Sequence, residues 1–279
     1  LRPSLAALAH REGCHIHQDK SVVEVIQAVL ADAGIDKVEL RLKGSYEPRA
    51  FIVQYRETEL DFVHRLMEDE GIFYFFLHAD DGHTLVLADD PAAFTVGDDA
   101  PEVIFAMGQG FAGEPLSVFS RTRALRSSNV ILRDFDFEKP QQKPLSALPA
   151  KEAWPLPFYE YPGGFTSPGE GAALASIRAG ERRAEARVLE GSATEPAILA
   201  GGVLTLEHAP EELPEARWLV LSVVHEAKRR AAPGELTYVA RFRAVPASEG
   251  HRAPRPARPR RGGVGTWMWA IDELDRCEV

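Results

Sequence analysis

Four side chains near the start of the chain have the right types to hold a metal: His10, Cys14, His15 and His17. Imidazole nitrogens and a thiolate are the donors of a tetrahedral zinc site. On an extended strand, however, His15 and His17 point to one side and Cys14 to the other. The set converges only if the chain doubles back, so ordinary, partly buried strand residues are the expectation. His225-Glu226 begins like H-E-x-x-H, but Arg229 stands in place of the second histidine and the segment is strand-like. That pattern needs both imidazoles on one helix face. Asp134 and Asp136 would share a face of an alternating strand, a spacing that could offer a carboxylate pair for glycoside chemistry. No general acid accompanies them, and solvated face residues are the simpler reading. Gly108-Gln-Gly110-Phe-Ala-Gly113 spells G-x-G-x-x-G. A dinucleotide site needs a helix to open there and point its N-terminus at the pyrophosphate. Glu114-Pro115 and an alternating run follow instead, which predicts a hairpin turn. Ser192, in E-G-S-A-T, lacks the glycine spacing of a nucleophile elbow. No catalytic residue, metal ligand or cofactor (none by motif) is assigned, and a non-enzyme is expected.

The bulk composition agrees with a folded protein. The chain has 279 residues, 45% of them hydrophobic, and a formal net charge of −10. That is enough apolar material for a real core in one or two domains. An acidic body argues against nucleic acid, whose binding wants a basic footprint. The densest apolar run, Ile72 to Leu77, is far shorter than the roughly 20 residues of a membrane span. Two cysteines, Cys14 and Cys277, make no disulfide framework. The start, Leu1-Arg-Pro-Ser, carries no initiator Met and no signal peptide, so an upstream segment is expected.

The elements that must position any site are legible from periodicity and caps. Cys14 to Gln18 reads as a strand. Ser21 and Glu24 then form a capping box ahead of Val22, Val25, Ile26, Val29 and Leu30, with Gly34 as the stop. Lys37 to Leu42 and Phe51 to Tyr55 read as strands. Thr58 and Asp61 open a second helix whose apolar face is Leu60, Phe62, Val63, Leu66 and Met67, ended by Gly71. Ile72 to Phe76 and Thr84 to Leu87 make a hairpin across Asp80-Asp-Gly82. Strands are expected at Glu102 to Met107, Leu116 to Arg121 and Asn129 to Phe137. Residues 138–168, rich in proline and aromatics, are expected to be an extended connector with no element of their own. Ser167-Pro168-Gly-Glu170 opens a third helix, expected to reach about Glu190 and stop at Gly191. Gly202 to Glu207, Trp218 to His225 and Glu235 to Val245 are the last strands, with Leu236, Tyr238, Ala240, Phe242 and Ala244 on one face. The pattern predicts an α+β, β-rich fold. Its expected segments are a module over 1–137, the connector over 138–168, a completing part over 169–248 and an Arg/Pro-rich, atypical tail over 249–279 expected to be disordered.

One stretch carries a resemblance. F-I-V-Q-Y-R-E-T-E-L-D-F-V-H-R-L-M-E-D-E-G-I-F-Y-F-F (51–76) resembles the signature of the VgrG family, the spike proteins of type VI secretion. The matching positions are Gln54, Tyr55, Glu57, Thr58, Asp61, Phe62, Val63, Arg65, Leu66, Glu68, Glu70, Gly71, Ile72 and Tyr74. Residues 16–35, 83–89, 130–140, 159–165 and 216–227 resemble further family blocks in the same order, so the likeness covers about 1 to 248. Beside it stands a plain physical reading: an amphipathic helix, aromatic strand core, and Arg56, Glu57, Arg65, Glu68 and Glu70 as a charged surface.

The resemblance implies phage tail-hub-like β-barrel modules with a few amphipathic helices. It implies a homotrimer seated on a hexameric inner-tube protein and joined to a needle, a PAAR tip and effector proteins through regions outside this chain. It implies assembly in the bacterial cytoplasm and secretion on sheath contraction. A prophage tail hub is the alternative within the same class, and a hydrolase effector domain on a spike scaffold is the alternative from another. The family pattern runs beyond both ends of this chain, which is therefore expected to be a truncated form. Its last residues, 251–279, look like out-of-frame reading.

Overall fold

A computed structural model describes residues 3–94, 102–104, 118–127, 129–135, 145–148, 156–184, 186–207, 215, 217–229, 236–248 and 251–252. The G-x-G-x-x-G stretch, Asp136, Cys277 and the tail beyond Arg252 lie outside them, as do the ends of several expected strands. The chain divides into two compact units. The first holds residues up to 73 and 77–89, and the second holds 74–76 and 90–253.

In the first unit a 3-10 helix, Ser4–His10, leads into strand β1, Glu12–Lys20. Helix α1 spans Val22–Asp32, and both halves of its capping box form: Ser21 Oγ accepts from Glu24 N–H, and the Glu24 carboxylate accepts from Ser21 N–H at 2.7 Å. Val22, Val25, Ile26, Val29 and Leu30 are all buried, as their spacing requires. Strand β2, Val38–Arg41, and strand β3, Arg49–Thr58, come next. Helix α2 spans Glu59–Glu70, then strands β4, Phe73–Ala79, and β5, Gly82–Ala88, form the expected hairpin. β1 and β3 pair antiparallel as a two-stranded ribbon, and β2, β5 and β4 form a second sheet in that order. Both helices stop the same way. Gly34 and Gly71 sit at φ 71°, and the next amide reaches back five residues, from Ile35 to Leu30 O at 2.9 Å and from Ile72 to Met67 O at 2.8 Å. Only glycine takes that left-handed turn without a Cβ penalty.

The second unit is built on a six-stranded sheet. Its strands are β6 (Glu102–Ile104), β7 (Val118–Arg123), β11 (Arg187–Ala193), β12 (Val203–Glu207), β13 (Arg217–Arg229) and β14 (Leu236–Pro246), in the order β6-β12-β13-β14-β11-β7. Leu189, Ile198, Leu204, Trp218, Phe242 and Ala244 form its core. The remaining strands, β8 (Asn129–Arg133), β9 (Leu145–Leu148) and β10 (Pro157–Glu160), make a separate sheet ordered β10-β8-β9, which helix α3 (Pro168–Ala184) covers. Val130, Leu132, Phe165, Ala175 and Ala179 pack between that sheet and α3.

Three sequence expectations need correction. Residues 138–168 are not a bare connector, because β9 and β10 lie within them. Proline is tolerated there because β10 is an edge strand and Pro157 is its first residue. Helix α3 ends at Ala184 rather than near Glu190, and the next seven-residue segment is β11. Residues 187–190 could continue the helical pattern, but pairing with β7 on one side and β14 on the other claims the backbone of this segment. On the second helix, Leu60 is half-buried while Glu59 is buried.

Candidate functional site

The sequence singled out residues 51–76, which form β3, α2 and the start of β4. Inward-facing Ile52 and Gln54 of β3 are buried, and His17 of β1, the register partner of Ile52, stacks on Phe62 of α2 with ring centroids 5.9 Å apart. Gln54 donates from Nε2 to the Glu57 carbonyl at 3.0 Å, which supports the chain where the ladder breaks. The break is a bulge. Gly13 pairs with Glu57 and Cys14 with Tyr55, so Arg56 is passed over and takes φ 47°. Its guanidinium lies 5.4 Å from the Tyr55 ring centroid, within cation–π range.

Thr58 caps α2. Its hydroxyl accepts from Asp61 N–H at 3.1 Å and donates to the Asp61 carboxylate at 2.8 Å. Phe62, Val63, Leu66 and Met67 are the buried stripe, followed by Gly71 and buried Ile72. Tyr74 meets Phe76 edge-on at 5.8 Å.

The charged residues of the signature are more than the solvated face expected of them. Arg65 lies over the Phe62 ring, donates to the Val53 carbonyl at 3.0 Å, and grips Glu57 with both Nε and Nη2. It thereby ties α2 to β3. Glu70 pairs with Arg49 at the other end of the helix, and Glu68 is half-buried. Sequence reasoning missed Arg11. It pairs with Asp32 at the end of α1 and with Glu59 at the start of α2, and these contacts, Asp32 first, raise its pKa against a desolvation that opposes them. Its partners are 21 and 48 residues away, so no local pattern could have exposed it. Burial, more than any neighbouring charge, lowers the pKa of His17 and of His64.

The other candidates are placed too. His225 lies on β13, with Nδ1 within 2.5 Å of Tyr238 Oη on β14. Ser192 is buried in β11. Asp134 is not a solvated face residue. Its carboxylate accepts from the amides of Phe135, Gly164 and Phe165 at 2.7, 2.5 and 3.2 Å, closing the turn before α3. Among the described residues, no three His, Cys, Asp or Glu side chains gather as metal ligands. Also among them, no helix is long and apolar enough to cross a membrane. On the ribbon face turned away from α2, Ile16 is 46% and Phe51 62% exposed.

Solved structures that share this architecture include a type VI secretion component and a prophage tail protein. A type VI secretion component of E. coli, c3393, aligns with a TM-score of 0.65 at 19% identity, covering 93% of this chain and 58% of its own; it is described as similar to the T4 bacteriophage tail proteins gp27 and gp5. The 43 kDa tail protein of prophage MuSo2 from Shewanella oneidensis aligns with a TM-score of 0.60 at 13% identity, covering 90% of this chain and 74% of its own. The chain thus shares its fold with these proteins. The model of the phage tail baseplate hub (GPD) family matches residues 1–231, and the chain belongs to that family. Among curated relatives, the type VI secretion system spike protein VgrG4b of Pseudomonas aeruginosa is 33% identical over 238 residues, 82% of this chain. The spike protein VgrG3 of Vibrio cholerae is 30% identical over 274 residues, 94% of this chain. The chain spans 29% and 27% of those two relatives' lengths.

Proposed function

We propose that this chain is a structural part of a type VI secretion spike, the hub that joins the inner tube to the puncturing needle. The observation that carries this reading is the match to spike proteins over most of this chain at about a third identity, on a hub-family fold. Three copies form the ring, which seats on a hexameric inner-tube protein, and the needle, tip and effectors attach through other regions. Assembly takes place in the cytoplasm, and the spike leaves the cell on sheath contraction. The signature residues serve as scaffold. Arg65 and Glu57 tie α2 to the ribbon, Gln54 braces the bulge, Thr58 and Asp61 cap the helix, and Phe62, Val63, Leu66 and Ile72 fill the core beneath. No catalysis is assigned to them. Such a part must resist mechanical load, which favours interlocked elements and slow unfolding.

Light scattering on the purified chain, with and without purified tube protein, tests the reading. A trimer that binds tube protein is expected. A monomer at all concentrations that leaves tube protein unbound would overturn it. The likeness to the MuSo2 tail protein supports a second reading, a prophage tail hub. Neighbouring sheath and ATPase genes favour the secretion system, whereas capsid and terminase genes favour the prophage.

A further inference from the structure

We draw no further inference here: the strongest candidate, the outward apolar face of the β1–β3 ribbon around Ile16 and Phe51, is an exposed sheet face, and nothing in the structure shows what covers it.

Discussion

Arg11 and Glu59 are joined twice: Arg11 Nε lies 2.8 Å from Glu59 Oε2, and Glu59 N–H donates to the Arg11 carbonyl at 2.8 Å. The Glu59 side chain is only 11% exposed. Arg11 also bonds the Asp32 carbonyl at 3.2 Å at the end of α1, so one guanidinium binds the end of one helix and the start of another. Both placements suit the helix dipoles, a cation at a C-terminus and an anion at an N-terminus. Arg11→Ala is expected to lower the thermal midpoint of the first unit by leaving a buried carboxylate without its counter-charge. The pair Arg11→Ala/Glu59→Gln is expected to recover part of the loss. Equal midpoints for the single and double variants would contradict a direct coupling.

Gly34 and Gly201 separate backbone strain from steric clash. Both have positive φ, at 71° and 85°. A Cβ at Gly34 meets nothing within 4 Å, whereas at Gly201 it would lie 2.6 Å from Phe75 Cβ. Gly34→Ala is expected to cost about 1–2 kcal/mol, the left-handed penalty alone. Gly201→Ala adds overpacking of about 1–3 kcal/mol. Urea unfolding of the two variants checks the order, and a costlier Gly34→Ala would refute this account.

Asp134 offers a test of structure against chemistry. Removing an acceptor of three backbone amides leaves donors to be satisfied by water or strain, at about 1–3 kcal/mol. Asp134→Ala is expected to destabilise the second unit by that amount, and Asp134→Asn by less, since its amide oxygen still accepts. Hydrogen exchange should quicken at Gly164 and Phe165. Unchanged exchange at both amides would show that the carboxylate does not hold this turn.

Stability should fall on mild acidification because of partly buried imidazoles. Burial lowers the pKa of His17 and His64, and burial together with Arg243 and Arg252 pushes His251 down to about 4. A group whose folded pKa lies below its unfolded one binds more protons when unfolded, so stability rises with pH between the two values. The contribution is complete above about pH 6.5, the unfolded histidine value. It is lost as the pH falls toward the folded values, for His251 over the window from about 6.5 to about 4. Each group contributes at most about 1.4 kcal/mol per pH unit inside its window. Glu24, Asp81 and Glu226, whose pKa values are lowered first by hydrogen bonds to Ser21, Lys37 and Arg241, add losses only at more acidic pH. Urea midpoints measured from about pH 7.5 down to about pH 5 should decline, the decline shrinking in His251→Phe. A flat profile in the parent chain would rule the imidazoles out.

The first unit was the more legible from sequence, and its residues explain why. Ser21 with Glu24, Thr58 with Asp61, and Gly34 and Gly71 act within four to six residues of chain, so their hydrogen bonds are written in local order. The apolar spacing of α1 and α2 names the buried face almost residue by residue, with half-buried Leu60 and buried Glu59 as the departures. Glu59 is buried because Arg11, far off in sequence, compensates its charge.

The sequence alone determined the caps and stops of α1 and α2, the apolar stripes, the hairpin at Asp80-Asp81 and the family likeness, because each depends on neighbours along the chain or on a continuous pattern. Tertiary structure decided the rest. Residues 187–190 became part of β11 rather than more of α3 because pairing with β7 and β14 claims the backbone there. Asp134 became a turn acceptor because Gly164 and Phe165 come to it across 30 residues of chain. Arg65 and Arg11 became ties between elements because the fold brought carboxylates within reach. Those outcomes rest on long-range contacts, whose energies no local window of residues contains.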